Sequence, residues 1–230
     1  MKIVFFTGSG ISQESGVPTF RDRIALWDNF DPEHLASKTA WKTNKEEMLR
    51  FHNQFRTLIE ETEPNQAHLF ISELQNEHEV IVVTQNVDNL HERAGSKNVY
   101  HLHGNLFESR STLNPNRIYP CNKDILIGDK CEKGSQLRPN VVWFGENLNG
   151  GMVKEVEEIL EACDILVVLG TSLSVYPANE MVHLTDSKCQ ILVVDPNPNR
   201  SKLPTFRITI IEKTAVNSIS ELTEFFQNLN

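Results

Sequence analysis

Short runs of apolar, largely β-branched residues recur along the chain, and stretches with helical spacing of apolar positions lie between them. Such runs are typical of strands buried on both faces. The predicted strands are Ile3–Phe6, Val80–Thr84, Asn98–His101, Ile165–Leu169, Ile191–Val194 and Ile208–Ile211. The predicted helices are Glu46–Ile59, Gln66–Leu74, Val153–Ala162, Ala178–Leu184 and a last helix that begins near Ser218 at a capping-box pattern. This alternation predicts an α/β fold with a doubly wound, Rossmann-like parallel sheet.

Two stretches do not fit the alternation. Arg21–Glu61 shows no strand pattern, and Leu106–Leu137 is polar and interrupted by proline and glycine. We therefore expect a single domain over residues 1–230 with two lobes. The large lobe would comprise about 1–21, 62–105 and 138–230, and insertions at about 22–61 and 106–137 would form the smaller lobe.

Composition narrows the classes of partner. The net charge is −9 and no run is rich in lysine or arginine, which argues against nucleic-acid and acidic-membrane binding and favours substrates with basic flanks. The start of the chain shows no secretory signal, and no apolar stretch has membrane-spanning length. Together with four cysteines that we expect to be reduced, this predicts a cytoplasmic protein. The sequence does not specify the oligomeric state.

Polar residues follow the predicted strand Val80–Thr84 directly. Gln85, Asn86 and Asp88 come first, and His103-Gly104 lies shortly beyond. In open α/β sheets, ligands bind outside the carboxyl ends of the strands. An imidazole with an ordinary pKa near ~6.5 is suited to moving a proton at neutral pH. Taken alone, the segment is also compatible with an ordinary loop.

The first predicted strand runs into a glycine turn. Gly8 and Gly10 allow a tight turn before a helix start, where free N–H groups favour a pyrophosphate. The third glycine of the dinucleotide-binding pattern comes late, at Gly16, so a tight turn without a ligand is equally compatible with this segment.

Five ordered motifs together carry a specific resemblance. Gly8-Ser9-Gly10-Ile11-Ser12 with Ser15-Gly16-Val17-Pro18-Thr19-Phe20-Arg21 resembles the opening motif of the sirtuins, the NAD-dependent protein deacylases. The further motifs that resemble this family are Thr84–Asp88, His103-Gly104, Leu137–Glu146, and Gly170-Thr171-Ser172 with Val175 and Pro177. The resemblance implies NAD-dependent removal of acyl groups, above all acetyl, from protein lysines.

The resemblance also implies roles for individual residues. His103 would be the general base, with Asn86 and Asp88 as further catalytic residues. The implied cofactor-binding residues are Gly8, Ser9, Gly10, Ile11, Phe20, Arg21, Trp27, Gln85, Asn86, Asp88, Gly170, Thr171, Ser172, Asp195, Asn197 and Ala215. We expect His101 to point to the opposite strand face from His103 and so away from the cleft.

The acyl-lysine substrate is expected at the segment after Leu137. By the resemblance, Val142, Trp143, Phe144, Gly145 and Glu146 would bind it. The backbone would pair with the substrate as an added strand, and Val142, Trp143 and Phe144 would wall the acyl-lysine tunnel. A plain core strand is the alternative for this segment.

The chain departs from the family at the structural zinc, for which sirtuins usually supply two Cys-x-x-Cys pairs. Only Cys121 and Cys131 stand in that region, and Ser111, Asn114 and Gly134 fall about where the other ligands would be. Because structural zinc needs four ligands, we expect no metal. A second function stays open, namely a sirtuin-like NAD hydrolase or ADP-ribosyltransferase, and a non-catalytic NAD-binding module is disfavoured.

Overall fold

A computed structural model describes residues 1–19, 35–174, 176–203 and 207–229. Four residues of the predicted motifs, namely Phe20, Arg21, Trp27 and Val175, lie outside the described residues. Within the described ranges, no helix combines the length and the apolar character that crossing a membrane requires.

A six-stranded parallel sheet organises the larger part of the chain. Its strands lie in the order β3-β2-β1-β7-β8-β9, and each neighbouring pair is parallel. The strands are β1 (Lys2–Thr7), β2 (Glu79–Thr84), β3 (Val99–His101), β7 (Ile165–Leu169), β8 (Gln190–Val194) and β9 (Ile208–Ile211). The predicted parallel sheet is therefore confirmed. The chain leaves β1 toward one side and later returns to its other side, so the strand order reverses at β1.

The strands form because almost all of their side chains are apolar and both faces of the sheet are covered. Alternate residues of β1 enter two separate clusters: Val4 and Phe6 pack on one face, and Ile3 and Phe5 pack on the other. Full burial of such a side chain contributes roughly 1.5–3 kcal/mol. The apolar runs thus determine the sheet locally, without long-range polar contacts.

Eight α-helices lie within the described residues, and five of them are near the predicted positions. They are α1 (Ser9–Gln13), α2 (Lys38–Thr43), α3 (Lys45–Glu60), α4 (Gln66–Glu73), α5 (Leu90–Arg93), α6 (Gly150–Glu161), α7 (Ala178–Met181) and α8 (Ile219–Gln227). Helix α7 ends earlier than the predicted Leu184. The last helix begins after Ser218 as predicted, but the capping box is wrong: the Ser218 hydroxyl donates to the Ala215 carbonyl, and Glu221 pairs with Lys213.

A second, antiparallel sheet has the order β5-β4-β6, formed by β4 (Gly104–Ser111), β5 (Ile118–Pro120) and β6 (Leu137–Val141). The sequence pattern did not predict these strands, because only every third residue or so of β4 is buried and the apolar alternation is missing. Helix α3 packs on β4 and β6 with the predicted stripe that contains Met48, Phe55 and Ile59. We call β4, β5 and β6 with α2 and α3 the antiparallel-sheet region, and the six-stranded sheet with its helices the parallel-sheet region.

Candidate active site

Three polar segments meet at the carboxyl edge of the parallel sheet. They follow β1, β2 and β7, and β1 lies between the other two strands. The Gly10 N–H donates to the Gly170 carbonyl at 2.8 Å, and Gln85 Nε2 donates to Thr171 Oγ1 at 2.9 Å. The strand order therefore brings together predicted cofactor residues that are far apart in the sequence.

The glycines at this edge allow two backbones to cross. A Cβ added to Gly10 would lie 2.8 Å from the Gly170 Cα, and one added to Gly170, whose φ is +63°, would lie 2.6 Å from the Ile11 nitrogen. Gly8 packs equally closely against Thr171. The contact between the two loops therefore requires glycine at these positions by itself, in addition to the predicted approach of a pyrophosphate.

Asn86 and Asp88 belong to one buried hydrogen-bond network. Asn86 Nδ2 donates to the Gly8 carbonyl and to Ser12 Oγ, both at 3.1 Å, and Ser12 Oγ donates to Asp88 Oδ2 at 2.9 Å. The other carboxylate oxygen of Asp88 accepts from the Leu90 N–H at 3.1 Å. Burial raises the pKa of Asp88, while these hydrogen bonds oppose the rise. Sequence reasoning quoted Ser12 within the opening motif but assigned it no role; its spacing from Gly8 was the available signal.

His103 is held in the tautomer that a general base needs. Its Nδ1 lies 2.8 Å from the Gln85 carbonyl, which can only accept, so Nδ1 carries the proton and Nε2 is the basic nitrogen. Burial lowers the pKa of His103, and the hydrogen bond to Gln85 opposes this. The imidazole is therefore neutral at pH 7 and ready to accept a proton.

Steric constraints explain why the residue after His103 is a glycine. Gly104 has a φ of +80°, and an added Cβ would lie 2.0 Å from the Asn140 carbonyl oxygen of β6. Any side chain there would push β4 away from β6 and displace the turn that presents His103.

The strand-alternation argument that separates His101 from His103 is wrong. Residues two apart on a strand share a face, and β3 ends at His101, so strand alternation does not separate the two histidines. His101 Nδ1 lies 3.0 Å from the Asn86 carbonyl, next to the Gln85 carbonyl that holds His103. Both rings therefore contact consecutive carbonyls of the same segment.

The predicted substrate segment is not an extended strand over its whole length. Strand β6 ends at Val141, and the Glu146 N–H donates to the Trp143 carbonyl in a turn that contains Gly145. The backbone of Phe144 is engaged by another part of the chain, since its N–H donates to the Ala36 carbonyl at 2.7 Å. The pairing of Val141–Glu146 with a substrate backbone stays a prediction.

Two side chains of that segment, those of Trp143 and Glu146, are engaged by other side chains of the protein. Trp143 is 2% exposed and its Nε1 donates to His52 Nε2 at 3.2 Å, whereas Phe144 is 45% exposed. Glu146 accepts from Arg138 at 2.6 Å and from Arg110 at 2.9 Å. Burial opposes ionisation of Glu146, but the hydrogen bond and charge of Arg138 hold its pKa below the ordinary value. Trp143 and Glu146 are therefore held by contacts within the protein, and their part in binding acyl-lysine stays a prediction.

The residues predicted for the adenosine end also lie at the sheet edge. Leu169 pairs with Val194, so Gly170 and Asp195 follow neighbouring strand ends. Asp195 Oδ1 accepts from the Asn197 N–H at 2.8 Å, which closes the loop after β8. Ala215 is buried in the apolar cluster that contains Ile3 and Phe5, on one face of the parallel sheet.

The predicted zinc region does not offer a ligand set. Cys131 Sγ lies 3.4 Å from Ser111 Oγ, which also accepts from the N–H groups of Leu113 and Asn114. Cys121 packs in a separate cluster with Leu49 and Ile125. No group of three or more His, Cys, Asp or Glu side chains suited to a metal exists among the described residues. These residues do not fit a tetrahedral zinc site.

The fold defines an α/β protein with a doubly wound parallel sheet, and His103 lies beside the polar carboxyl edge of that sheet. The model of the Sir2 family matches residues 8–177. The chain belongs to the Sir2 family.

Curated relatives cover nearly the whole chain. An NAD-dependent protein deacylase of Helicobacter pylori (strain J99) is 40% identical over 220 residues, which are 96% of this chain and 93% of the relative. One of Aggregatibacter actinomycetemcomitans is 42% identical over 196 residues, 85% of this chain and 93% of the relative.

Solved structures share the fold. A complex of a Sir2 homologue with NAD has a TM-score of 0.86 at 33% identity and covers 99% of this chain and 90% of that one. A Sir2 complex with a deacetylated peptide and acetyl-ADP-ribose has a TM-score of 0.80 at 29% identity, with 97% and 92% covered.

Proposed function

We propose that this protein removes acyl groups, above all acetyl, from protein lysines with NAD as co-substrate, releasing nicotinamide and O-acyl-ADP-ribose. The observation that carries the proposal is the neutral imidazole of His103. Its Nδ1 donates to the carbonyl of Gln85, which follows β2 at the carboxyl edge of the parallel sheet, and its Nε2 is left as the basic nitrogen. Relatives at about 40% identity are named for this activity.

Each part of the site has a task in this chemistry. NAD, when bound, supplies the electrophilic ribose carbon that receives the acyl oxygen. His103 Nε2 accepts a proton from a ribose hydroxyl and returns it. Asn86 and Asp88 orient the nicotinamide end, and the loops at Gly8–Ile11 and Gly170–Ser172 hold the phosphates and adenosine ribose with Asp195, Asn197 and Ala215. Phe20, Arg21 and Trp27 stay predicted cofactor contacts.

A sirtuin-like NAD hydrolase or ADP-ribosyltransferase is the alternative function, because the Phe144 N–H of the predicted substrate segment is already bonded to the Ala36 carbonyl. Product analysis with and without an acetyl-lysine peptide separates the two. We expect O-acetyl-ADP-ribose in equal amount to deacetylated peptide. Nicotinamide release at the same rate without peptide would support the alternative and contradict deacylation.

We expect acetyl-lysine to be preferred over succinyl- or malonyl-lysine. Family members that remove acidic acyl groups carry a Tyr-x-x-Arg pair, and here His52 and Phe55 stand at those positions. His52 donates from Nδ1 to the Met48 carbonyl and accepts at Nε2 from Trp143, so neither ring nitrogen remains for an anion. Desolvation by burial lowers the pKa of His52 to about 4, which keeps it neutral.

We also expect Arg56 not to bind an acidic acyl group, because the side chain is buried and its Nε and Nη1 donate within the protein, to the Leu106 carbonyl at 2.9 Å and to Asn53 Oδ1 at 3.1 Å. Steady-state kinetics on acetyl and succinyl versions of one peptide test the preference. A higher kcat/KM for the succinyl peptide would contradict it. As a positive control, Phe55→Arg should raise kcat/KM for the succinyl peptide only.

We further infer that no stoichiometric zinc is bound. In support, a serine, Ser111, occupies the place where the family usually has a cysteine ligand. Its hydroxyl is hydrogen-bonded to Cys131 and accepts from the Asn114 N–H. Elemental analysis of purified protein should find well under one zinc per chain, and a chelator should leave the melting temperature unchanged. One zinc per chain that disappears in Cys121→Ser would overturn this inference.

A further inference from the structure

We propose that His101 is a positioning residue for the deacylation reaction: as an imidazolium held by Glu92, it fixes the Asn86 carbonyl and thereby the segment that carries Asn86 and Asp88 beside His103. The inference rests on the proposed function for its kinetic consequence. Its structural part concerns only the protonation state and contacts of His101 and stands apart from catalysis.

The geometry requires a proton on both ring nitrogens. His101 Nδ1 lies 3.0 Å from the Asn86 carbonyl oxygen, and His101 Nε2 lies 2.7 Å from Glu92 Oε1. A carbonyl and a carboxylate can only accept, so each nitrogen must donate. The Asn105 amide nitrogen also lies 3.5 Å from Nε2, at the outer limit for a hydrogen bond, and the shorter contact with the carboxylate decides the charge.

The charged groups around the ring favour the imidazolium. Burial alone would lower the pKa of His101, but the hydrogen bond and charge of Glu92, with smaller contributions from Asn86 and Asp88, raise it above the ordinary value. On the same helix as Glu92, His91 is neutral because burial holds its pKa well below the ordinary value. The ion pair is partly shielded, with exposed side-chain fractions of 10% for His101 and 39% for Glu92.

The two histidines therefore bond to the same segment in different charge states. His103 is neutral and donates to the Gln85 carbonyl, while charged His101 donates to the next carbonyl, that of Asn86. The Asn86 side chain in turn reaches Gly8 and Ser12, and Ser12 reaches Asp88. When His101 loses one proton, the carboxylate of Glu92, as the stronger acceptor, keeps the proton on Nε2, and Nδ1 then presents a lone pair to the Asn86 carbonyl in place of a hydrogen bond.

The kinetic consequence is a bell-shaped pH profile of kcat/KM. Activity rises as His103 loses its proton, below pH ~6.5 because its pKa is lowered. Activity falls above pH ~6.5, where His101 loses its proton, because its pKa is raised. Glu92→Gln removes the stabilising charge and should move only the upper limb, toward lower pH. One unit of movement makes kcat/KM about tenfold lower on that limb.

Two experiments test the proposal on the full chain. At about pH 6.5, the ordinary histidine pKa, imidazole NMR with isotope-labelled histidine should show His101 mainly doubly protonated and His103 mainly singly protonated. A singly protonated His101 at that pH would overturn the proposal, whether or not the protein is a deacylase. His101 can be assigned from the resonance that Glu92→Gln perturbs.

The kinetic arm uses an acetyl-lysine peptide and compares Glu92→Gln with a matched control. Glu155→Gln alters the exposed carboxylate that accepts from the neighbouring residue Tyr100 at 2.8 Å, and it should leave the profile unchanged. Glu92→Gln should lower kcat on the alkaline side with little change in the KM for NAD. An upper limb unmoved in Glu92→Gln, or moved equally in Glu155→Gln, would overturn the proposal. An inactive wild type would refute the proposed function and leave the NMR result to stand.

Discussion

The parallel-sheet and antiparallel-sheet regions are stabilised by different interactions. In the parallel sheet, the strands are apolar on both faces, and consecutive residues such as Phe5 and Phe6, which face opposite sides of the sheet, are both fully buried. In the antiparallel region, single polar side chains join distant segments. Asn53 on α3 donates to the Ile125 carbonyl at 3.0 Å and accepts from the Ile125 N–H at 3.1 Å. Local hydrophobic runs suffice for the first region, whereas the second depends on specific long-range polar contacts.

The site combines both kinds of structure. Asn86 and Asp88 lie at the edge of the parallel sheet, and His103 lies in the turn that leads from β3 into β4. Gly104 pairs with Val141 of β6, so the antiparallel sheet holds the far side of that turn. Damage to the antiparallel region should therefore reach catalysis through His103, while the parallel sheet stays folded.

The largest expected effect is on the chemistry itself. His103→Ala should lower deacetylation by about 10²–10⁴-fold, because a positioned general base is lost, while NAD binding remains. Steady-state kinetics and calorimetric NAD titration measure the two effects. His183→Ala, at an exposed position of the parallel-sheet region, is the control and should keep wild-type activity. Wild-type deacetylation by His103→Ala would refute the assignment of the base.

The next largest expected effect is a loss of stability in the antiparallel-sheet region. Glu146→Ala would leave Arg138, 6% exposed, without the carboxylate that pairs with it. Breaking such a buried pair costs about 3–5 kcal/mol. Urea unfolding should show the loss, and hydrogen exchange should place it first in β4 and β6. The exposed pair of Arg200 and Glu212 is the control, since Glu212→Ala should cost less than about 1 kcal/mol. Equal exchange in both regions would contradict the comparison.

A smaller effect is expected at the contact between α3 and Ile125. Asn53→Ala leaves the Ile125 N–H and carbonyl without their partner and should cost about 1–3 kcal/mol. Hydrogen exchange and limited proteolysis near Ile125 should increase, with β1 and β7 unaffected. Asn217→Ala, which removes an exposed hydrogen bond to Thr214, should be nearly neutral. A cost at Asn53 no larger than at Asn217 would show that this polar contact does not hold the antiparallel region.

Sequence reasoning predicted the parallel sheet because each strand carries its own signal. The run Ile165–Leu169 is apolar throughout and is buried throughout. The three strands of the antiparallel sheet escaped prediction because β4 is mostly half-exposed and carries no alternating pattern. For the site, the motifs predicted His103, Asn86 and Asp88 as neighbours, but not Ser12 as the link between Asn86 and Asp88.

By itself, the sequence determined the strands of the parallel sheet and the longer helices, the edge at which polar residues collect and the resemblance to the Sir2 family, since these properties depend on short runs and local motifs. Only the tertiary structure decided the charge of His101, the neutral tautomer of His103 and the burial of Trp143. The physical reason is the same in each case. Protonation and burial depend on groups that are far apart in the chain, such as Glu92 for His101 and His52 for Trp143, and the folded chain brings those groups within hydrogen-bond distance.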